Sequence, residues 1–305
     1  MAESGKAGKA ISLKTGIVIL NYNDYKNTAD LVKKIYSYSV PDLICVVDNC
    51  STDESYCELL KLQDDKCRVI QNAANNGYAA GNNYGCRYLI ENYNVDILMI
   101  ANPDVRFPEK TVRAMIDGFA MYPDYAIIAP LMYNADGTVT KRPYIRIPTS
   151  FQDMMLCFYT YNRYDERKRP YLIRNDTELM QVDAVQGSFW AVRADVLKKA
   201  DYMDEGTFLF YEEMCMALRV KRKFPEAKIG LLTGAAYTHY HSVTIRSNLS
   251  VMKTYRTYMQ SKEYFERKYY GTAGLKLVLL KMLAGISCAE EWILIHIKRQ
   301  ERQNI

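Results

Sequence analysis

The chain lacks the signatures of several protein classes. None of its eight cysteines stands in a Cys-x-x-Cys pair, and no zinc-finger or RNA-binding spacing occurs. The formal charge of +5 is too mild to choose among nucleic acid, membrane and phosphorylated ligand as partner. Without a nucleic-acid motif we expect no nucleic-acid partner. Without an export signal we expect free thiols in the cytoplasm rather than a disulfide framework.

Two nucleotide-binding signatures are missing as well. No Gly-x-Gly-x-x-Gly turn follows the first apolar run, which argues against a dinucleotide-dependent oxidoreductase, and no P-loop with Gly-Lys-Ser/Thr occurs. Residues 1–15 are small, polar and basic with no apolar stretch, so they do not form a secretory signal. We expect them to be a flexible leader.

Apolar runs of strand length alternate with helical stretches in the first half of the chain. The predicted strands are Gly16–Leu20, Leu43–Val47, Arg68–Ile70, Val95–Ile100 and Ala126–Met132, and the predicted helices are Tyr25–Tyr38, Asp53–Leu62, Tyr78–Tyr93 and Glu109–Tyr122. The apolar runs are continuous, as in strands covered on both faces. This pattern predicts an α/β fold in which helices flank a mostly parallel, Rossmann-like sheet.

The second half of the chain is less regular. Residues 138–180 are rich in Arg, Tyr and Pro, which suggests a long connection that shapes a cleft. Strand-like runs return at Val182–Val192 and Ile229–Tyr237, with a helix at Glu212–Phe224 between them. No Ser/Gly-rich linker separates the halves, so we expect one domain over residues 16–250.

Residues 251–305 have a helical pattern, and charged residues interrupt every apolar window that is long enough to span a bilayer. Two interpretations stay open for this C-terminal helical segment. The helices pack on the domain or on a second copy in a homodimer, or a basic, amphipathic C-terminus attaches to an anionic membrane surface.

Gly77, Gly81 and Gly85 recur every four residues at the third predicted helix, so they lie along one side of it. Small residues in such a row let a helix backbone approach its neighbour closely. Close packing on the sheet and access for a ligand both explain this row, and the sequence does not choose between them.

Polar residues follow each of the first four predicted strands, and ligands of open parallel sheets bind beyond the carboxyl ends of the strands. Asp48 abuts the second strand, and its carboxylate suits the polar edge of a base or a ribose hydroxyl. Its alternative role, capping the next helix, suits Ser51 or Asp53 better. Asp104 follows the fourth strand and suits a hard divalent cation that bridges to a diphosphate. Alternatively, it is a turn or capping residue before Pro108.

Glu212 and Glu213 open a predicted helix directly after four large apolar residues. Enclosure raises the pKa of a carboxyl, as a general base near neutral pH requires. Alternatively, the pair only complements the positive end of the helix dipole. His239 and His241 lie two residues apart after the last strand, so if the chain is extended only one of them serves a metal or phosphate site.

Taken in order, these segments resemble family 2 glycosyltransferases, with the closest likeness to the rhamnosyltransferase-like branch. The matching segments are Val18–Asn23, Val46–Asp53, Asn75–Asn83, Asn102–Val105, Gln186–Arg193, Phe210–Glu213 and His241–Ser242. Each motif alone is weakly specific, but their order over residues 16–245 is a strong signal. The resemblance implies a GT-A fold, an inverting single displacement and Mg²⁺ or Mn²⁺ as cofactor.

The resemblance also implies roles for individual residues. Glu213 would be the catalytic base with Glu212 as its rival, because the family's usual Glu-Asp is Glu-Glu here. Asp104 and His241 would bind the metal ion. Gly187 would leave room for the sugar, Trp190 would line the acceptor side and Arg142 would assist the phosphates. The residues expected at the nucleotide are Asn21, Asn23, Asp48, Asn49, Asn76, Gly77, Asn83 and Asn102.

The sequence therefore predicts a metal-dependent glycosyltransferase of cell-surface polysaccharide synthesis. It would move a sugar from a nucleoside diphosphate sugar, with dTDP-rhamnose favoured and a UDP-hexose next, to a hydroxyl of a glycan or lipid-linked acceptor. The expected location is cytoplasmic, peripheral on the inner face of the plasma membrane. The main alternative is a non-catalytic nucleotide-sugar-binding or scaffold subunit of a polysaccharide assembly complex. A nucleotidyltransferase, which would release pyrophosphate, is a lesser one.

Overall fold

A computed structural model describes residues 13–174, 176–240 and 251–303. The strands are β1 (Thr15–Asn21), β2 (Leu43–Asp48), β3 (Cys67–Gln71), β4 (Ile97–Ala101), β5 (Val105–Arg106), β6 (Tyr125–Asn134), β7 (Leu179–Gln181), β8 (Phe189–Arg193) and β9 (Lys228–His239). The helices are α1 (Tyr25–Tyr36), α2 (Ser55–Leu60), α3 (Tyr78–Tyr93), α4 (Glu109–Met121), α5 (Ser150–Met155), α6 (Tyr159–Lys168), α7 (Ala194–Lys199), α8 (Glu212–Lys223), α9 (Val251–Tyr269) and α10 (Gly274–Gln303).

The described strands join one mixed sheet in the order β3-β2-β1-β4-β8-β6-β9-β5, and β7 pairs with β9. The first four strands are parallel to one another, and β6 is parallel to β9. The strand β8 runs antiparallel between β4 and β6. The predicted α/β fold with flanking helices is confirmed, and the C-terminal segment adds two helices to it.

Successive side chains of β1 enter different hydrophobic cores. Ile17 and Ile19 pack in one core with Leu31 of α1, while Val18 packs in the other with Leu89 of α3. Because helices cover both faces, the central strands have no polar alternation. This explains why these strands appear in the sequence as continuous apolar runs.

Four of the eight cysteines are buried side chains, and none of the eight forms a cross-link. All eight are free, as expected. Cys45, Cys67 and Cys86 are fully buried, and burial raises the pKa of Cys67 and of Cys86 to about 12. Thiols in such surroundings stay protonated and inert.

Close packing explains the glycine row of α3. A Cβ atom at Gly81 would collide with Leu20, and one at Gly85 would collide with Val18 and Val47. The missing side chains therefore let α3 lie directly on β1 and β2. At these two positions the glycines serve the sheet rather than a ligand.

The strand predicted over Val182–Val192 is confirmed only from Phe189 onward. The strand β7 ends before this range and β8 begins only at Phe189, while the intervening segment leaves the sheet and bridges to Ile145 through Ala184. Its apolar residues are nevertheless buried in the core. The apolar run therefore reflects a buried connection, which delivers Gly187 to the carboxyl edge of the sheet.

The C-terminal segment forms two helices that pack on each other. A turn with positive φ at Gly271 and Gly274 joins α9 to α10. Phe265 of α9 packs with Tyr211 and Cys215 at the start of α8. Within the described ranges, no helix combines the length and apolar character needed to cross a bilayer.

Candidate active site

A cavity of about 520 Å³ lies where the ends of β4 and β9 meet the beginnings of β8 and α8. Its lining includes Asn102, Gly187, Ser188, Glu212, Glu213 and His239. Residues between 142 and 171 form a further wall. Side chains from distant parts of the chain thus converge on one concave site, which is how ligand pockets of open α/β sheets are built.

The cation-binding candidate Asp104 contacts a histidine. His239 Nε2 lies 3.1 Å from Asp104 Oδ1. The sheet creates this contact, because β5 and β9 pair with Val105 opposite His239, and the Tyr240 N–H donates to the Asp104 carbonyl at 3.0 Å. The sequence favours His241 as the ligand, but that residue lies outside the described residues, and the structure brings its rival His239 to Asp104.

Asp104 and His239 have the chemistry of a partial metal site. A carboxylate oxygen suits Mg²⁺ or Mn²⁺, and an imidazole nitrogen suits a transition metal such as Mn²⁺. In the parts of the chain that the structure describes, no group of three or more His, Cys, Asp or Glu side chains could hold an ion. Two protein ligands fit a cation that completes its shell with phosphate oxygens and water.

Tyr237 connects the Asp104 side of the cavity to the Glu213 side. Its hydroxyl lies 2.7 Å from Ser188 Oγ, and the Ser188 carbonyl accepts a hydrogen bond from the Asn102 N–H at 2.9 Å. Burial raises the pKa of the Tyr237 hydroxyl, and the negative charges of Glu213 and Asp104 raise it further. Glu213 and His239 line the cavity, and Asp104 reaches its edge through the contact with His239.

Glu213 packs directly on Gly187. A Cβ atom at residue 187 would collide with Glu213 Oε1. Burial raises the pKa of Glu213, while hydrogen bonds from its own N–H and from the Gly187 N–H oppose the rise. The missing side chain of Gly187 therefore makes room for the candidate base itself.

Glu212 is enclosed more deeply than its neighbour. It is only 3% exposed, and within the described residues its Oε1 accepts no hydrogen bond. Burial and then the charge of Glu213 raise the pKa of Glu212 well above that of an ordinary glutamate. Two such carboxyls titrate as a pair. Near neutral pH we expect Glu212 to hold the proton and Glu213 to carry the charge.

Strained backbone precedes this pair. Phe210 and Tyr211 have φ values of 76° and 73°, which bulky residues rarely adopt unless their surroundings hold them there. The Tyr211 hydroxyl donates to Asp153 Oδ1 at 2.8 Å, and Lys262 Nζ lies 3.0 Å from Asp153 Oδ2. Asp153 and Lys262 are both almost fully buried, so α5 and α9 together fix the start of α8.

Sequence reasoning missed Asp153, Tyr211 and Lys262 as supports of the site. The ion-pair partners are 109 residues apart, and no motif surrounds either of them. The one available signal was a lysine on the apolar face of α9, between Met259 and Phe265. Lysine at such a position is rarely buried unless it is paired.

Several residues predicted at the nucleotide meet at the carboxyl ends of β1 and β2. Asn21 and Asp48 are opposite each other in the sheet, and Asn21 Nδ2 donates to Asp48 Oδ1 at 3.0 Å. Asp48 also accepts hydrogen bonds from Ser51 and from Gln71 Nε2. The Asn23 side chain bonds the residue after Ser51 in the same loop. These bonds order the edge at which we expect the nucleoside.

The remaining nucleotide candidates are dispersed. Asn49 Nδ2 donates to the carbonyl of Gly77 at 3.4 Å, and Gly77 begins α3 with a φ of 96° that favours glycine. Asn76 is exposed beside them, and Asn102 lines the cavity. Asn83 is fully buried, and its side chain binds the backbone of Met203 and the carboxylate of Glu205. The structure therefore ties Asn83 to packing rather than to the strand edge.

The two acceptor-side candidates have different surroundings. Arg142 lines the cavity and bonds the Glu166 carboxylate at 2.7 Å and the Asn162 amide. Trp190, in contrast, is 3% exposed and lies in the hydrophobic core instead of the cavity lining. The structure thus contradicts an acceptor contact for Trp190, because β8 directs this side chain between the sheet and its helices.

Aromatic and basic side chains form the wall that the long connection contributes. The rings of Tyr144 and Tyr171 meet edge to face at 4.9 Å, and the Arg146 guanidinium lies 4.2 Å from the centre of the Tyr171 ring. Such amphipathic surfaces present both apolar area and hydrogen-bond donors to a ligand. The arrangement agrees with the expected cleft-forming role of residues 138–180.

Comparisons with known proteins find one matching family and one curated relative. The family described as Glycosyl transferase family 2 matches residues 16–200. The low-salt glycan biosynthesis hexosyltransferase Agl10 of Haloferax volcanii is 26% identical over 209 residues, which cover 68% of this chain and 61% of that protein. The chain therefore spans less than two thirds of the length of this curated relative.

Two solved structures share the fold. The structure of GalNAc-T7 with UDP, GalNAc and Mn²⁺ has a TM-score of 0.59 and 14% identity, covering 85% of this chain and 49% of that one. Staphylococcus aureus TarS 1–349 with UDP-GlcNAc has a TM-score of 0.54 and 15% identity, covering 89% of this chain and 70% of that one. At such low identity these likenesses concern architecture, and they agree with the expected GT-A fold.

Proposed function

The chain belongs to glycosyl transferase family 2, and we propose that it transfers a hexose from a nucleoside diphosphate sugar to an acceptor hydroxyl with inversion. The observation that carries the proposal is that Glu213 and His239 line one cavity and that His239 contacts Asp104. A single displacement needs a group that removes the acceptor proton and a group that stabilises the departing diphosphate. These residues have the chemistry for both tasks.

Glu213 is the proposed base. It takes the proton of the acceptor hydroxyl as that oxygen attacks the anomeric carbon and the bond to the diphosphate breaks. Its raised pKa suits proton transfer near neutral pH. A Mg²⁺ or Mn²⁺ ion held by Asp104 and His239 would, when bound, neutralise the leaving diphosphate. Glu212, the rival base, is the protonated neighbour in this scheme.

We propose dTDP-rhamnose as the first donor to test and UDP-hexoses as the next. The resemblance to the rhamnosyltransferase-like branch supports the first. The solved structures of similar fold, which hold UDP or UDP-GlcNAc, support the second. In either case Asp48 and Asn21 would face the nucleoside, and Asn102 would lie near the diphosphate.

The proposed acceptor is a glycan or lipid-linked glycan at the cytoplasmic face of a membrane, in cell-surface polysaccharide synthesis. The aromatic and basic wall between residues 142 and 171 supports a glycan ligand, and Arg142, which lines the same cavity, is the proposed contact for phosphates. The similar Haloferax volcanii protein is named for glycan biosynthesis, which supports the same acceptor class.

Single-turnover sugar transfer tests the proposal. Glu213→Gln keeps the shape of the side chain but cannot accept a proton, so we expect transfer to fall by about 10²–10⁴-fold. Glu226→Gln, an exposed control, should transfer at the wild-type rate. Unchanged transfer by Glu213→Gln would exclude Glu213 as the base. Donor binding without transfer by wild type to any glycan acceptor would favour the scaffold subunit.

A further inference from the structure

An apolar stripe covers the outward face of α10. Its described members are Leu275, Val278, Leu279, Met282, Ile286 and Ile293. Their exposed fractions range from 48% at Leu279 to 88% at Leu275. Spacings of three, four and seven residues place them on one side of the helix, within about 100° of its circumference and over about 27 Å of its length.

The opposite face of α10 holds the helix on the protein. Leu280 and Ser287 are buried there. On the flank between that face and the stripe, Glu290 accepts a hydrogen bond from the Tyr159 N–H of α6 at 3.2 Å. The stripe therefore points away from the fold along a helix whose orientation is fixed. Contiguous exposed apolar surfaces of this kind mark interaction sites.

The charge around the stripe indicates the kind of partner. Residues 251–303 contain ten Lys and Arg residues but only five Glu, so they carry the whole positive excess of the chain. Lys276 and Lys281 are exposed on opposite flanks of the stripe, although Lys281 also lies 3.3 Å from Glu263. Apolar faces flanked by lysine are typical of helices that lie in the headgroup region of anionic bilayers.

We propose that α10 docks the protein on an anionic lipid bilayer, with the stripe in the acyl boundary and the flanking lysines among the headgroups. Anionic lipids neutralise these lysines, whereas a parallel pairing of two stripes would bring the lysines of two copies together. In this arrangement α10 lies along the bilayer surface and does not cross it.

The docked face is connected to the cavity through α6. This helix bonds α10 at Tyr159 and lines the cavity with Asn162, Asp165 and Glu166. Docking would therefore keep a lipid-linked acceptor close to the cavity. That consequence rests on the proposed function, but the docking itself does not.

Co-sedimentation with vesicles tests the docking. Vesicles of phosphatidylcholine alone are compared with an equal mixture of phosphatidylcholine and phosphatidylglycerol. Wild type should sediment with the anionic vesicles, and less so at high salt. Met282→Glu should weaken binding at least tenfold, because a charge enters the acyl boundary. Lys276→Gln should weaken it about fivefold.

Met121→Glu is the matched control, since Met121 is 57% exposed on α4 and Met282 is 60% exposed on the stripe. It should bind vesicles like wild type, and all variants should melt at the wild-type temperature.

The proposal is overturned if wild type does not bind anionic vesicles or if Met282→Glu binds them as tightly as wild type. It is also overturned if wild type is a dimer that Met282→Glu dissociates without any vesicle binding. Sugar transfer to a water-soluble acceptor is measured in a separate assay that contains no vesicles. Loss of vesicle binding alone would therefore contradict the docking, and loss of sugar transfer alone would contradict the proposed function.

Discussion

The carboxylate of Glu213 occupies the space that a side chain at residue 187 would fill, and the Gly187 N–H binds it there. The glycine before β8 thus makes the room that the glutamate at the start of α8 needs for its carboxylate. This arrangement aims Glu213 into the cavity. Its consequences for activity, pH and stability can each be measured.

Replacing Gly187 with Ala should displace the Glu213 carboxylate, because the new Cβ would collide with Oε1. We expect the turnover number for sugar transfer to fall by about 10²-fold, with the donor KM nearly unchanged. Steady-state kinetics separate the two constants. The control is Gly234→Ala, where a Cβ would meet no atom within 4 Å. Equal losses in both variants would contradict the relationship.

The activity should depend on the ionisation of Glu213. Burial raises its pKa, so the ionised base is lost as the pH falls through a value above that of an exposed glutamate. The ratio kcat/KM should therefore rise with pH and level off near neutrality. Glu212→Gln should retain activity within about tenfold, because the protonated Glu212 is already neutral. An acid limb at the pKa of an exposed glutamate would argue against Glu213.

Nucleoside diphosphate and metal should stabilise the protein together. We expect Mn²⁺ with UDP or dTDP to raise the melting temperature more than either alone, because each completes the other's binding site. Asp104→Asn should abolish the rise in melting temperature that depends on Mn²⁺. Asp48→Asn should reduce the rise that depends on the nucleotide. The readout is a thermal shift without any acceptor. A full Mn²⁺ effect in Asp104→Asn would exclude Asp104 as a ligand.

The buried pair of Lys262 and Asp153 should stabilise the fold and position the base. Lys262→Met leaves a buried carboxylate unpaired and should cost about 3–5 kcal/mol in the free energy of unfolding. The double variant with Asp153→Asn should cost less than the sum of the single changes. Urea unfolding measures both.

Tyr211→Phe separates positioning from stability. It removes the hydroxyl that donates to Asp153 but keeps the ring packed on Phe265, so the loss of stability should be about 1–2 kcal/mol. If the hydroxyl helps to hold the strained backbone before Glu212, kcat should fall while the donor KM stays constant. An unchanged kcat would show that this contact is structural only.

Asp204 should make stability depend on pH at the acid end. Burial alone would raise its pKa, but hydrogen bonds from Lys268, Tyr269 and Tyr264 outweigh burial and lower it to about 2. The folded pKa lies below the ordinary value of 3.8, so this stabilisation is complete above that value and disappears as the pH falls toward 2. We expect wild type to lose about 2 kcal/mol from this group across that range.

Asp204→Asn serves as the comparison for the acid effect. Asp204→Asn should be less stable than wild type at neutral pH. Its free energy of unfolding should not show the loss that Asp204 causes in wild type as the pH falls from 3.8 toward 2. Urea unfolding at several acid pH values gives both slopes. Identical slopes in the two proteins would show that Asp204 is not the responsible group.

The order of the central elements could be predicted from the sequence alone. Continuous apolar runs mark β1, β2 and β4 because helices cover both faces of those strands. Asp48 and Asp104 follow two of these runs, so parallel pairing places them at one edge of the sheet. The strand prediction failed over residues 182–188, where the apolar run marks a buried connection that leads into β8. Burial was correctly indicated there, but hydrogen-bond pairing was not.

The sequence by itself therefore determined which segments are buried, which polar residues stand at strand ends and which family the chain resembles. Only the tertiary structure decided that His239 meets Asp104, that Trp190 faces the core, that Gly187 makes room for Glu213 and that Lys262 supports the strained turn. The reason is physical. Periodicity and burial are local properties that neighbouring residues encode, whereas these contacts depend on the register and packing of segments up to 135 residues apart.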